Sequence, residues 1–163
     1  MLQQNALRTY ALAGLAVALV DAIDGVIYFG ITAGLNPVMV LQYIATGILG
    51  TAAFREGLPA AILGLGAHFF ISYAFTAILF AIMLSSPALR RSWTVVGPAW
   101  GALVYLFMTF VALPHSNVAY TPLTPLAFVH GIAGHALIVG LLPAYIIQRF
   151  YTLDGLQSAA QEP

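Results

Sequence analysis

The chain contains no cysteine, and only 6% of its 163 residues carry a formal charge. Without thiols there is no disulfide, no thiolate metal centre and no iron–sulfur cluster. The basic residues are all arginine, and the five of them balance five carboxylates to a net charge of zero. Zero net charge leaves no electrostatic footprint for nucleic acid, which is not expected among the partners. A soluble domain carries about 25% charged residues, so most of this surface must meet lipid or protein. Also missing are a nucleophile–base–acid arrangement, a phosphate-binding glycine loop and a dinucleotide fingerprint. The sequence does not point to an enzyme.

What is present is apolar: 61% of residues are hydrophobic and the mean hydropathy is +0.95. The reading is an integral membrane protein with the lipid bilayer as its first partner. Residues 1–151 form one helical domain and 152–163 a polar tail. The start, MLQQNALR, resembles the basic head of a signal peptide. The apolar run behind it is far longer than the ~7–15 residues of a signal core, so it reads as a retained first helix. Arginine as the sole base, with abundant glycine and alanine, suits a bacterial protein of the cytoplasmic (inner) membrane.

Segments 10–34, 59–84, 94–113 and 126–147 are each long enough to span, since ~20 residues at ~1.5 Å rise cover ~30 Å. Pro37–Phe54 is ambiguous because Gln42, Thr46, Gly47, Gly50 and Thr51 interrupt it. Arginine placement arbitrates. With four spans Arg8, Arg90, Arg91 and Arg149 share the cytoplasmic side, and only Arg55 lies outside, next to Glu56 as a salt-bridge partner. A fifth span would erase this positive-inside bias. The expectation is therefore an all-α polytopic membrane protein. It is a four-transmembrane-helix bundle with a re-entrant or interfacial helix at Pro37–Phe54, both termini cytoplasmic. Tyr10, Trp93 and Tyr145 suit the inner aromatic belt.

At 100° per residue each span shows one face of small and polar residues. These faces hold Gly14, Asp21, Asp24, Tyr28 and Thr32; then Ala61, Gly64, His68, Ser72 and Phe75. In the second half they hold Gly97, Gly101, Tyr105 and Thr109, then Gly131, His135 and Val139. Gly64, Gly97, Gly101 and Gly131 read as helix-packing positions. Depth along the spans brings Asp21, Asp24, His68 and His135 to one layer, with Tyr105 at its edge. Tyr28, Thr32, Ser72 and Thr109 would line a vestibule open to the outside. His130, about 140° around its helix from His135, is expected apart from this cluster near the outer loops. His115 is expected in a solvated loop.

A carboxylate at mid-bilayer costs roughly 2.5–3.5 kcal/mol, and such groups are by default functional. Two readings follow for Asp21, Asp24, His68 and His135: a proton or cation relay, or a divalent-metal site, since carboxylate and imidazole suit zinc, manganese or iron. An alternative is electron transfer, with His68 and His135 as axial ligands of a b-type haem beside Gly64 and Gly131. A third reading is a static polar knot in a structural subunit of a larger membrane complex, or in a homo-oligomer. Gly64-Leu-Gly-Ala-His68 and Gly131-Ile-Ala-Gly-His135 also form a weak internal repeat.

The second half carries a family likeness. His68-Phe-Phe-Ile-Ser72, Gly97-x-x-x-Gly101-Ala102-Leu103-x-x-Leu106-Phe107, Leu113-Pro114, Gly134-His135 and Ile146-Ile147-Gln148-Arg149 occur in order. Over about residues 64–149 the chain resembles the YagU-like family of small bacterial inner-membrane proteins, which has no firmly assigned activity. The resemblance implies the helical bundle and the two helix histidines. The first third departs from the family pattern, so the Asp21/Asp24 pair gains nothing from it.

Overall fold

The computed structural model describes residues 2–118 and 122–151, and their regular structure is entirely helical. The polar tail, 152–163, lies outside the described residues. Helix α1 is Leu2–Ala33, α2 is Pro37–Leu49 with a 3-10 extension at Gly50–Phe54, and α3 is Leu58–Ser85. A short α4, Pro87–Arg91, leads into α5, Trp93–Phe107, which runs on to His115. The last helix, Pro125–Tyr151, comprises α6 (Pro125–Gly134) and α7 (Leu142–Ile146) joined by wider turns. Five of these helices, α2 with its extension among them, are long and apolar enough to cross a membrane.

Local chemistry sets the boundaries. The Asn36 side chain accepts from the Met39 amide, and the Thr124 hydroxyl from Ala127, each followed by a proline at the first helical turn. These are N-caps with the proline where its missing N–H is harmless. Gly50 and Gly57 turn the chain on either side of the α2 extension with φ near +61°, a region side chains avoid. Of the three π-helical stretches among the described residues, Met108–Ala112 and His135–Leu141 each end just before a proline, Pro114 and Pro143, while Ile147–Tyr151 does not. Proline cannot donate to the carbonyl four residues earlier. Widening the helix offers carbonyls a donor five residues on instead, as in the bonds from Leu113 to Met108 and from Leu142 to Leu137.

Contacts define the helix directions. Tyr10 meets Tyr73 and Phe80, whereas Ala18 and Asp21 meet His68, so α1 and α3 are antiparallel. Asp24 meets His130 while Ala13 packs with Ala144 and Ile147, so the last helix also opposes α1. Along the α5 seam Tyr105 faces Gly131, Gly101 faces His135 and Gly97 faces Gly140, again antiparallel. The four long helices thus alternate in direction. Arg8, Arg90, Arg91 and Arg149 gather at one end, where the Arg90 guanidinium lies 5.6 Å from the Tyr151 ring and Trp93 packs on Tyr145.

Because α1 and α3 are antiparallel neighbours, the chain leaves α1 and enters α3 at the same end. Helix α2 occupies that end. Its Leu41 backbone presses on Gly64, its Gln42 amide donates to the Gly57 carbonyl at 3.0 Å, and Tyr43 packs on Phe29. The Asn117 amides, backbone and side chain, hold the carbonyls of Gly47 and Ile48 at 3.2 Å. Arg55 and Glu56 are both exposed at this corner. The salt bridge expected between them does not form among the described residues, because Gly57 turns the chain immediately after.

Small residues set the closeness of the seams. A Cβ atom at Gly101 would overlap the His135 carbonyl, and one at Gly140 the Gly97 carbonyl. Below this seam, Ala13, Leu79, Met83, Ala144 and Ile147 fill the centre toward the arginine end. Val17, Val104 and Val139 form the next layer up, with Trp100 and Phe75 packed against them. Side chains such as Ile31, Phe70 and Val95 point outward and are more than two-thirds exposed, as lipid-facing residues are.

Candidate functional site

Asp21 and Asp24 lie three residues apart on α1, which separates them by ~4.5 Å along the axis and about 60° around it. That angle decides their partners, because α3 and the last helix flank α1 on different sides. Asp21 turns toward α3, where its Oδ2 lies 4.0 Å from His68 Nδ1. The other ring nitrogen of His68, Nε2, donates to the Ala18 carbonyl at 2.9 Å. Asp24 turns toward α6, and its Oδ1 lies 3.4 Å from His130 Nε2. Its Oδ2 lies against Gly134, which has no side chain to exclude it. Tyr28, one turn further along α1, stacks on the His130 ring at 4.0 Å and 15°.

The two pairs differ in exposure. The side chains of His68 and Asp21 are 11% and 23% exposed, those of His130 and Asp24 33% and 35%. The first pair is the more buried, between α1 and α3; the second is more open and closer to the α2 end.

His135 sits elsewhere. Its Nδ1 donates to the Gly131 carbonyl at 2.9 Å, and its ring lies 5.2 Å from that of Tyr105, whose hydroxyl donates to Ala127. The single cluster expected of Asp21, Asp24, His68, His135 and Tyr105 is therefore divided. Asp21 joins His68, Asp24 joins His130, and His135 joins Tyr105. Among the described residues no hydrogen bond or ion pair links the three sets. His130, expected to stand apart, is the partner of Asp24. The angle of about 140° between His130 and His135 is sound. Helical phase allows each helix one polar face, whereas the last helix lies between α1 and α5 and presents His130 to the first and His135 to the second.

Of the residues expected to line a vestibule, Tyr28 touches the site directly. Thr32 donates to the Tyr28 carbonyl at 2.7 Å and is exposed, Ser72 is buried on α3, and Thr109 is half-buried on the widened turn of α5. His115 is bonded through Nδ1 to the Val111 carbonyl at 2.7 Å rather than free in a loop.

The metal and haem readings meet obstacles of geometry. Among the described residues no three of Asp, Glu and His converge to hold a metal ion, because Asp21, Asp24, His68 and His135 are distributed over three places. A macrocycle beside His68 or His135 needs the space next to Gly64 and Gly131. The Leu41 backbone fills the first and the Tyr105 ring the second. His68 Nε2 is also committed to the Ala18 carbonyl.

Compared with known proteins, the chain matches no family model, no curated protein and no solved structure.

Proposed function

We propose that this protein takes up and passes protons at the two carboxylate–imidazole pairs of α1, within a four-span bundle of the bacterial cytoplasmic membrane. The observation that carries the reading is the pairing itself: each aspartate of one apolar helix faces an imidazole from a different neighbouring helix. Polar residues placed only for packing would be equally served by hydroxyls or amides. A carboxylate beside an imidazole supplies groups that exchange protons between about pH 5 and 8. The more exposed Asp24–His130 pair, roofed by Tyr28, is the point of entry from the α2 side. The more buried Asp21–His68 pair lies one step deeper.

The four-span reading is supported by the shared end at which the chain leaves α1 and enters α3, by the contacts of α2 at that end, and by the four arginines gathered at the other. Both termini are then cytoplasmic by the positive-inside rule. The YagU-like likeness belongs with this reading, through its helix histidines.

Purified protein reconstituted into liposomes with an entrapped pH dye tests the activity. A pH gradient should collapse faster than in protein-free vesicles, and Asp24→Asn should slow it at least tenfold. Gradients held as well as in protein-free vesicles, or unaffected by Asp24→Asn, overturn the reading.

A further inference from the structure

One hydrogen bond of His68 decides which of its ring nitrogens faces Asp21. A neutral imidazole carries one N–H. In His68 that proton is committed: the Ala18 carbonyl can only accept, so Nε2 must donate to it at 2.9 Å. Nδ1 then presents a bare lone pair to Asp21 Oδ2 at 4.0 Å. Lone pair against carboxylate is repulsive, and an apolar interior screens it poorly. The arrangement is favourable once a further proton is bound, on Nδ1 as imidazolium or on Oδ2 as carboxylic acid. For His130 the structure gives the 3.4 Å approach of Nε2 to Asp24 Oδ1 but no carbonyl bond, among the described residues, that commits one ring nitrogen as the donor.

We infer that Asp21–His68 is a site that binds one further proton, on His68 Nδ1 or on Asp21 Oδ2. This rests on the proton-handling reading for its purpose and on hydrogen-bond chemistry alone for its content. The titratable and charged groups on the elements around His68 are few. Arg8, Tyr10, Asp21, Asp24 and Tyr28 lie on α1, Tyr73 and Glu56 on or before α3, and Tyr43 and Arg55 on α2 and its extension. His130 stands across α1, Tyr28 stacks on it, and Arg8 and Tyr10 lie more than two turns away toward the other end. Tyr73 is committed to the Ala11 carbonyl at 3.1 Å and Tyr43 packs on Phe29. Arg55 and Glu56 are exposed at the α2–α3 corner. No cation other than the imidazole itself is therefore placed to neutralise Asp21.

Asparagine at position 21 separates the possibilities, because its amide can donate permanently to Nδ1. Asp21→Asn removes the negative charge that favours a further proton on Nδ1, and Asp21→Ala removes the side-chain partner altogether. The test is nitrogen NMR of full-length protein with labelled histidine, in detergent micelles, across about pH 5–8. His68 is assigned by the signal lost in His68→Gln. The His68 signals of the wild type should report a protonation step at Nδ1 with Nε2 protonated throughout. Asp21→Asn should weaken that step and leave Nδ1 unprotonated over more of the range, and the His130 signals should be unaffected. A His68 ring that is protonated on Nδ1 and bare on Nε2 overturns the assignment. So does an Asp21→Asn variant whose His68 titrates as in the wild type. If Asp21→Asn alone is poorly folded, one-proton uptake by the wild type measured with and without His68→Gln decides the same point, and equal uptake refutes it. A silent liposome assay with the expected NMR result removes the transport reading and leaves the proton site. Proton flux with an unchanged His68 does the reverse.

Discussion

Replacing Gly101 with alanine adds a single methyl group, and the structure specifies what that methyl meets. It would overlap the His135 carbonyl and lie 2.8 Å from the Ala136 Cα, both backbone atoms of the last helix. Neither can rotate away, so α5 and the last helix must separate by ~1 Å to reach ordinary carbon contact at about 3.5–4 Å. A gap of that size forfeits a quarter to a half of each dispersion contact along the seam, and overpacking of this kind costs about 1–3 kcal/mol. Helix propensity acts the other way, since alanine is favoured over glycine by about 1 kcal/mol. Gly66→Ala isolates that term, because a methyl there meets nothing within 4 Å. Thermal or denaturant unfolding in detergent should show Gly66→Ala at or above wild-type stability and Gly101→Ala about 1–3 kcal/mol below Gly66→Ala. Gly101→Leu should fall further, while Val95→Leu, on a side chain 68% exposed, should be neutral. Equal stability of the two alanine variants would mean that α5 and the last helix are not in backbone contact at Gly101.

A mutant cycle of Asp24→Asn with His130→Ala should be non-additive by ~0.5–3 kcal/mol, as expected for groups in contact. Asp24→Asn with His135→Ala should add within about 0.5 kcal/mol, and stronger coupling there would restore the undivided cluster. For the topology, the absence of native cysteine makes single-cysteine labelling clean. Ala33→Cys and Arg55→Cys should both react with an impermeant reagent from outside and Arg91→Cys from inside; reaction of the first two from opposite sides would show that α2 crosses.

The helices and their seams were readable because apolar length, small-residue faces and proline or asparagine starts are local properties. Gly97 and Gly101 align at one-turn spacing, and the structure puts both against the last helix. Gly140, which enters the same seam from the other side, gave no comparable signal. The widened turns before Pro114 and Pro143 were missed although their cause, a proline at the end of an apolar run, stands in the sequence. Pairing across helices was harder. Helical phase says that His130 and His135 diverge, but which neighbour each meets depends on the order of helices around the bundle, which no local pattern encodes. Depth groups His68 with both aspartates, and the ~60° between them leaves it with Asp21 alone.

Helix α2 raises a problem of assembly. With its extension it is 18 residues long with a mean hydropathy of 1.5, against 1.8–2.0 for the other four candidate spans. A nascent chain exposes α2 before any of α3 exists, and at that moment its length and apolarity make it a candidate for insertion across the bilayer. The contacts that hold it at one end, Gly64 on Leu41 and Gly57 on Gln42, are made by residues synthesised afterwards, and the Asn117 clasp later still. On the four-span reading the correct orientation of α2 is therefore decided retroactively. A chain stopped before residue 57 should thread α2 through the membrane, and full-length synthesis should rescue it. The glycine that lets two helices touch would then also govern which way the rest of the protein faces.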